Sequence, residues 1–173
     1  MTGPQTRFDA EVLPFLDAAY NLARWLVRDE HVAQDIVQNA YLRAFRYFGT
    51  FRGGDARPWL LGIVRNCCYT WFVQQKRQRE FESGVDDADA PALDADERPQ
   101  TPETLLARKV ERAQVRDAIA RLPVAFREVL VLREIEDLSY EEIARVLEIP
   151  IGTVMSRLSR ARRQLQALLT DWQ

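Results

Sequence analysis

Residues 81–103, FESGVDDADAPALDADERPQTPE, cannot join a folded core, and that decides how the rest of the chain can fold. The stretch carries eight acidic side chains against the single Arg98, three prolines and no apolar periodicity. Like charges repel, and too little apolar area is on hand to offset the conformational entropy of ordering. The 173 residues are therefore expected to form two small units, 1–80 and 104–173, on a flexible acidic tether. The tether's net charge of −7 hides net charges of +3 and +2 on its two flanks within an overall −2. That near-neutral total excludes a protein that binds nucleic acid by bulk charge. Apolar residues at 47% suffice for packed cores.

The same composition narrows the chemistry. Two adjacent cysteines (Cys67, Cys68) and one histidine (His31) can make neither a disulfide framework nor a four-ligand zinc site. The opening MTGPQTRFDAE lacks the basic start and apolar run of a secretory leader. The least polar stretch, 59–75, is short and interrupted by Arg65, Asn66 and two glutamines, so no membrane insertion is expected. A cytoplasmic protein is the expectation. No nucleotide-binding loop, Ser/His/Asp set or paired catalytic carboxylates stand out, so no catalytic site, cofactor or metal is expected.

Both flanks read as helical, which predicts an all-α fold. Over 12–27 the apolar positions Leu13, Leu16, Ala19, Tyr20, Ala23, Leu26 and Val27 follow a helical period. Asp29 is placed to cap a second helix. That helix carries Ala33, Ile36, Val37, Ala40, Tyr41, Ala44, Phe45 and Phe48 on one face and Gln34, Asp35, Gln38, Asn39, Arg43 and Arg46 on the other. Gly53-Gly54 marks a loop over 49–55, and Pro58 suits the first turn of a third helix. Its buried stripe is Trp59, Leu60, Ile63, Val64, Cys67, Trp71 and Phe72. Arg65, Asn66, Tyr69, Thr70 and Gln74 face the other way. Beyond the tether, 105–122 reads as a helix through Leu106, Val110, Ala113, Ala118 and Ile119. Pro123 ends it and can open a short helix with Phe126, Val129, Leu130 and Leu132.

The most informative stretch is LSYEEIARVLEIPIGTVMSRLSRARRQLQ. Ser139 and Glu142 form a capping box, so a helix should start at Tyr140. The turn Glu148-Ile149-Pro150 leads to a second helix with a core of Val154, Leu158, Ala161, Leu165 and Leu168. Two short helices joined by a tight turn form a helix-turn-helix. Four arginines and no acid lie between residues 151 and 165. Gly152, Ser156, Ser159, Arg160 and Arg163 point away from the core, with Met155 to one side. This concentrates positive charge on a face able to enter a major groove. Arg157 sits at the core's edge, where it can brace Glu141 or Glu142 or meet a phosphate.

The motifs AQDIVQNAYLRAFRYFGTFRGG and RPWLLGIVRN resemble conserved region two of bacterial sigma factors. LPVAFREVLVLREIEDLSYEEIARVLEIPIGTVMSRLSRARRQL resembles region four, and the acidic stretch stands where larger relatives carry their third region. The two-domain plan is similar to an extracytoplasmic function (ECF) sigma factor. This resemblance implies binding to core RNA polymerase, promoter recognition and DNA melting. Asp35, Gln38, Asn39 and Arg43 match the face that docks on the beta-prime coiled coil, and solubility of an exposed helix is their other reading. Region four would meet the beta flap. The resemblance gives Phe51, Arg52, Asp55 and Arg57, with Arg65, Asn66 and Tyr69 on the following helix, contact with the minus-ten element, and Trp59 a packing role at the loop's base. Tyr140, Thr153, Met155, Ser156, Ser159, Arg160 and Arg163 match the minus-thirty-five surface, with Tyr140 and Thr153 on phosphates. It also implies an anti-sigma factor as partner. The tether's 23 residues can extend to about 75 Å. That is about two turns of B-DNA, enough to let the two units read separate elements.

Three departures from the family pattern matter. Gln34 and Asn39 replace frequent acids, and Met155 replaces a frequent basic residue. Glu148 stands where a glycine is common, so its backbone is expected to avoid the left-handed region. Cys67 and Cys68 invite a metal or redox role, against which stands a core role on the buried stripe. A lone duplex-DNA regulator and a protein-binding antagonist are the competing readings.

Overall fold

The computed structural model describes residues 3–82 and 103–171, and every regular element among them is helical. In chain order the helices are α1 (Pro4–Val12), α2 (Leu16–Val27), α3 (Glu30–Tyr47), α4 (Ala56–Glu82), α5 (Glu103–Arg121), α6 (Val124–Leu130), α7 (Tyr140–Leu147) and α8 (Ile151–Thr170). The body of the predicted tether, 83–102, lies outside the described residues. Its outermost residues are helical, because α4 runs through Glu82 and α5 begins at Glu103.

Local sequence explains most boundaries. The single helix expected over 12–27 is instead broken at Leu13–Phe15, a short 3-10 turn holding Pro14, which has no N–H to continue the α ladder. The helix before it, α1, has no counterpart in the sequence reading. It buries only Phe8 and Val12, too few for a periodic signal. Phe8 nonetheless holds it down, meeting Tyr41, Phe45 and Phe48 edge-on at 5.2, 5.2 and 5.3 Å between ring centres. Asp29 caps α3 as expected, its carboxylate accepting the Val32 N–H at 3.0 Å. Ser139 caps α7 the same way, its hydroxyl oxygen accepting the Glu142 N–H at 3.1 Å.

Two expectations fail here. Glu148 does adopt the left-handed conformation, with φ 54° and ψ 45°. The bonds from its N–H and from Ile149 N–H back to the Ala144 carbonyl close α7 and aim the chain into α8, so the helix crossing dictates the backbone whatever residue sits there. The predicted stripe on α5 also fails along much of its length. Val110 is 49% exposed and Ala113 is exposed, and from residue 108 onward the first buried side chain is Ala118.

The larger difference is between the two flanks of the tether, which share one hydrophobic core. Helix α4 packs on α7, and α2 packs on α6. The α4 and α7 backbones run close at Gly62, where an added Cβ would stand 3.7 Å from the Val146 carbonyl oxygen, in ordinary van der Waals contact. Leu22, Leu26, Leu60 and Leu61 on one side and Leu122, Leu132, Leu138, Ile143 and Leu158 on the other are fully buried. Among the described residues no helix is long and apolar enough to cross a membrane.

The left-handed turn generates a stability test. Glu148→Gly should raise stability by up to about 1 kcal/mol, because glycine adopts this conformation without the Cβ clash. Thermal denaturation by circular dichroism measures it, and a lower melting temperature would refute the strained-turn account.

Candidate nucleic-acid interface

Helix α8 separates its side chains cleanly. Val154, Leu158 and Ala161 are buried against α6 and α7, fixing the helix's rotation. Met155, Ser156, Ser159, Arg160 and Arg163 are then all exposed and fall within a sector of about 140° opposite them. Arg162 is tied to Glu134 at 2.8 Å, whereas no ion pair holds Arg160 or Arg163 among the described residues. Tyr140 and Thr153 are half-buried, and the Arg133 guanidinium lies 5.0 Å from the Tyr140 ring. Arg157 does not brace Glu141 or Glu142. It is half-buried, and its charge acts on Glu128.

The loop before α4 is built on aromatic stacking. Phe51 packs on Trp59 at 5.1 Å and on Phe48 at 5.9 Å, so Trp59 does sit at the loop's base. Gly53 and Gly54 turn the chain with φ of 88° and 87°, a region closed to most side chains. Arg52 is exposed at the tip. Asp55 acts locally: its carboxylate accepts the Arg57 N–H at 2.9 Å at the start of α4. Arg57 turns toward the other half, donating to the Glu136 carbonyl at 2.9 Å and lying 3.8 Å from the Glu142 carboxylate. A cleft of about 570 Å³ remains between this loop and α7, lined by Phe51, Trp59 and Asn66 on one side and Glu142 and Arg145 on the other.

Asn66 is exposed on α4 as expected, whereas Arg65 and Tyr69 are half-buried, the Arg65 side chain keeping 19% of its surface. Arg65 places Nε 3.2 Å and a terminal nitrogen 3.4 Å from the two oxygens of Glu128, and its guanidinium lies 3.7 Å over the Tyr69 ring. The Tyr69 hydroxyl donates to the same carboxylate. Glu128 has no exposed surface at all. Burial pushes its carboxyl above the usual range, and the Arg65 hydrogen bonds pull it back in part. Beside it, Arg127 donates to the carbonyls of Ala120, Leu122 and, across the seam, Leu26, the last at 2.9 Å. Burial, with Arg28 nearby, lowers the Arg127 guanidinium to about 10.

A third surface lies on α3. Asp35, Gln38, Asn39 and Arg43 are exposed together, on the face opposite the buried Ala33, Ile36, Ala40 and Ala44. Asp35, Asn39 and Arg43 line a shallow groove of about 200 Å³ whose far wall is Thr70, Trp71 and Gln74 of α4. Leu42, 58% exposed, stands in the middle of this face. The sequence reading passed over it, although an apolar residue flanked by Asn39, Arg43 and Arg46 at helical spacing marks such a position. It also passed over Arg127 and Glu128. Their signal is the run Phe126, Val129, Leu130, Val131, Leu132, apolar on nearly every side, which leaves charged neighbours no route to water.

Both thiols are free and buried, Cys67 at 7% exposure and Cys68 at 0%. Cys67 lies on the stripe read from sequence, whereas Cys68 lies off it and is nonetheless fully buried, close enough to Glu128 for that charge to act on it. Burial pushes Cys67 up and carries Cys68 to about 12, with the Cys67 and Glu128 charges adding to it. Neither thiol should react with a disulfide reagent at pH 8 within minutes in the native protein, and both should on unfolding. Fast stoichiometric labelling of the native chain would contradict this packing.

Comparison with known proteins supplies the family. Residues 12–78 match the family described as Sigma-70 region 2, and residues 112–165 match Sigma-70, region 4. The chain is 37% identical to the RNA polymerase sigma-H factor of Pseudomonas aeruginosa over 98% of this chain and 91% of that one. It is 34% identical to the ECF RNA polymerase sigma-E factor of Escherichia coli K12 over 94% of this chain and 86% of that one. Among solved structures, the sigma factor RpoE of Bartonella quintana, in complex with the anti-sigma factor NepR, superposes with a TM-score of 0.76 at 28% identity, covering 95% and 97% of the two chains. CnrH, in complex with the cytosolic domain of CnrY, gives 0.65 at 26% identity over 96% and 90%. With both conserved regions matched in order and near-full-length relatives above 30% identity, the chain belongs to the sigma-70 family of RNA polymerase sigma factors, in its ECF group.

Proposed function

We propose that this chain, whose family role is promoter recognition in transcription initiation, performs that role through three separate surfaces. The exposed face of α8 enters the major groove of the minus-thirty-five element. Arg160 and Arg163 carry the charge, Ser156 and Ser159 offer hydroxyls to bases or backbone, Met155 supplies apolar contact, and Tyr140 and Thr153 hold phosphates. The observation that carries this reading is the exposure of Arg160 and Arg163, with no ion pair among the described residues, on a helix whose other face is locked in the core.

The loop and α4 form the minus-ten surface. Phe51 and the cleft beside Trp59 suit a base rotated out of the stack, with Arg52, Asn66, Arg65, Tyr69 and Arg57 along the strand. Asp55 supports the loop through its bond to Arg57 N–H and needs no direct DNA contact. Melting by this route draws on binding energy, so the chain works as a non-catalytic specificity subunit in the cytoplasm. The α3 face of Asp35, Gln38, Asn39, Leu42 and Arg43 docks on the beta-prime coiled coil, and the half containing α8 docks on the beta flap. An anti-sigma factor as partner follows from the complexes of RpoE and CnrH, whose folds this chain shares. The units 1–80 and 104–173, joined by the acidic tether, would separate to span the two elements.

Run-off transcription with purified core polymerase on a library of random upstream sequences tests the whole reading. Transcripts that start at defined sites only when this chain is added support it. Core binding without initiation points to an antagonist, and tight duplex binding without polymerase points to a simple regulator. Leu42→Asp should weaken core binding by about tenfold or more by placing a charge at the centre of the docking face, read by competition for core. Arg160→Ala should cost about 1–3 kcal/mol in minus-thirty-five recognition, and unchanged selectivity would remove Arg160 from that surface.

A further inference from the structure

We infer that the chain closes on itself, with Glu128 of α6 occupying Arg65 and Tyr69 of α4 so that a DNA strand must displace an internal carboxylate to reach them. This rests on the proposed role of Arg65 and Tyr69 at the minus-ten strand.

The geometry of the pair carries the argument. Arg65 presents two nitrogens to the two oxygens of Glu128 at 3.2 and 3.4 Å, the forked arrangement by which a guanidinium holds a planar carboxylate or a phosphate. The Arg65 guanidinium simultaneously lies 3.7 Å over Tyr69, whose ring would otherwise be available to stack on a base. Arg157, from the helix that carries the minus-thirty-five face, adds its charge to the same carboxylate. Glu128 therefore stands where a phosphate would stand. The rest of the seam repeats the pattern, because Arg57 is held by the Glu136 carbonyl and lies near Glu142. Residues proposed for one promoter element are occupied by the half that reads the other.

Such a seam is separable. Desolvation of a buried ion pair cancels most of its Coulombic gain, so this pair adds little to the cost of opening, which is set by the apolar contacts of the shared core. Neutralising one partner is different, since it leaves the other buried and unpaired in the closed state while changing little in the open one. Closure lowers the apparent affinity for DNA in proportion to the fraction of molecules that are open.

The test uses the full chain, without polymerase. Small-angle X-ray scattering gives the radius of gyration, and fluorescence anisotropy follows a labelled random-sequence DNA single strand of about 12 nucleotides. Wild type should be compact. Glu128→Gln should expand the chain with unchanged helix content by circular dichroism, and should bind the strand at least about fivefold tighter. Gly62→Leu is the second variant. Its Cβ would already be in van der Waals contact with the α7 backbone, 3.7 Å from the Val146 carbonyl oxygen, so the isobutyl group beyond it should wedge α7 away from α4 at a point removed from Glu128 and expand the chain too. It decides the matter alone if Glu128→Gln does not fold. An extended wild type, or folded variants that stay as compact as wild type, overturns the closure. Expansion without tighter strand binding overturns the decoy role and counts against placing Arg65 and Tyr69 on the strand. It leaves the family role untouched, which run-off transcription tests separately.

Discussion

A carboxylate without exposed surface, Glu128, sits where the two halves of this chain meet, and the arrangement around it depends on its being answered from the other side. Arg65 binds both of its oxygens with Tyr69 beside them, Arg157 adds a second cationic neighbour, and Arg127 next to it reaches across to the α2 carbonyl of Leu26. A buried charge left unpaired would cost several kcal/mol, so these contacts act together to hold α4 and α6 in register. In this register Gly62 lies close to Val146, and Cys68 is fully buried. The seam is thus polar at its most buried point and apolar around it. Parts that must dock firmly and still come apart benefit from that distribution.

The three candidate surfaces are consequences of burial elsewhere. Val154, Leu158 and Ala161 commit one side of α8 to the core, which leaves the arginine-bearing side no choice but solvent or DNA. Ala33, Ile36, Ala40 and Ala44 do the same for α3, and their small size brings it close against α2 and α4. Leu42 and the polar residues around it are then presented as a patch with an apolar centre. In the loop before α4, rings carry the load: Phe8, Phe48, Phe51 and Trp59 form a chain of contacts that holds the glycine turn on a rigid base. A loop that is to capture a base gains from a rigid support, because a loop already ordered in the free protein has less entropy left to lose on binding.

Much of this was legible in the chain itself. The helical period, the Asp29 and Ser139 caps, the Gly53-Gly54 turn and the split character of α8 are local features, decided by residues within a few positions of one another. The resemblance in two separate motifs supplied the family that the comparisons bear out. The candidate surfaces on α3 and α8 were readable for the same reason, since each lies on a single helix whose rotation is set by its own apolar residues. Errors arose where a distant segment intervened. The helix before Pro14 depends on Phe8 finding three rings from α3 and the turn that follows it. The left-handed Glu148 depends on the crossing of α7 and α8.

The sequence by itself determined an all-helical chain, the start of most helices, and which face of α3 and α8 turns outward, because periodicity and capping act over one or two turns. Tertiary structure alone decided that the two flanks share a core and that Arg57, Arg65 and Tyr69 are engaged by α6, α7 and the turn between them. It also decided that Glu128 and Arg127 are buried. Those outcomes come from contacts between residues more than sixty positions apart, such as Arg65 with Glu128. No local pattern encodes such contacts, because the energy of a charge depends on what stands opposite it once water has been removed.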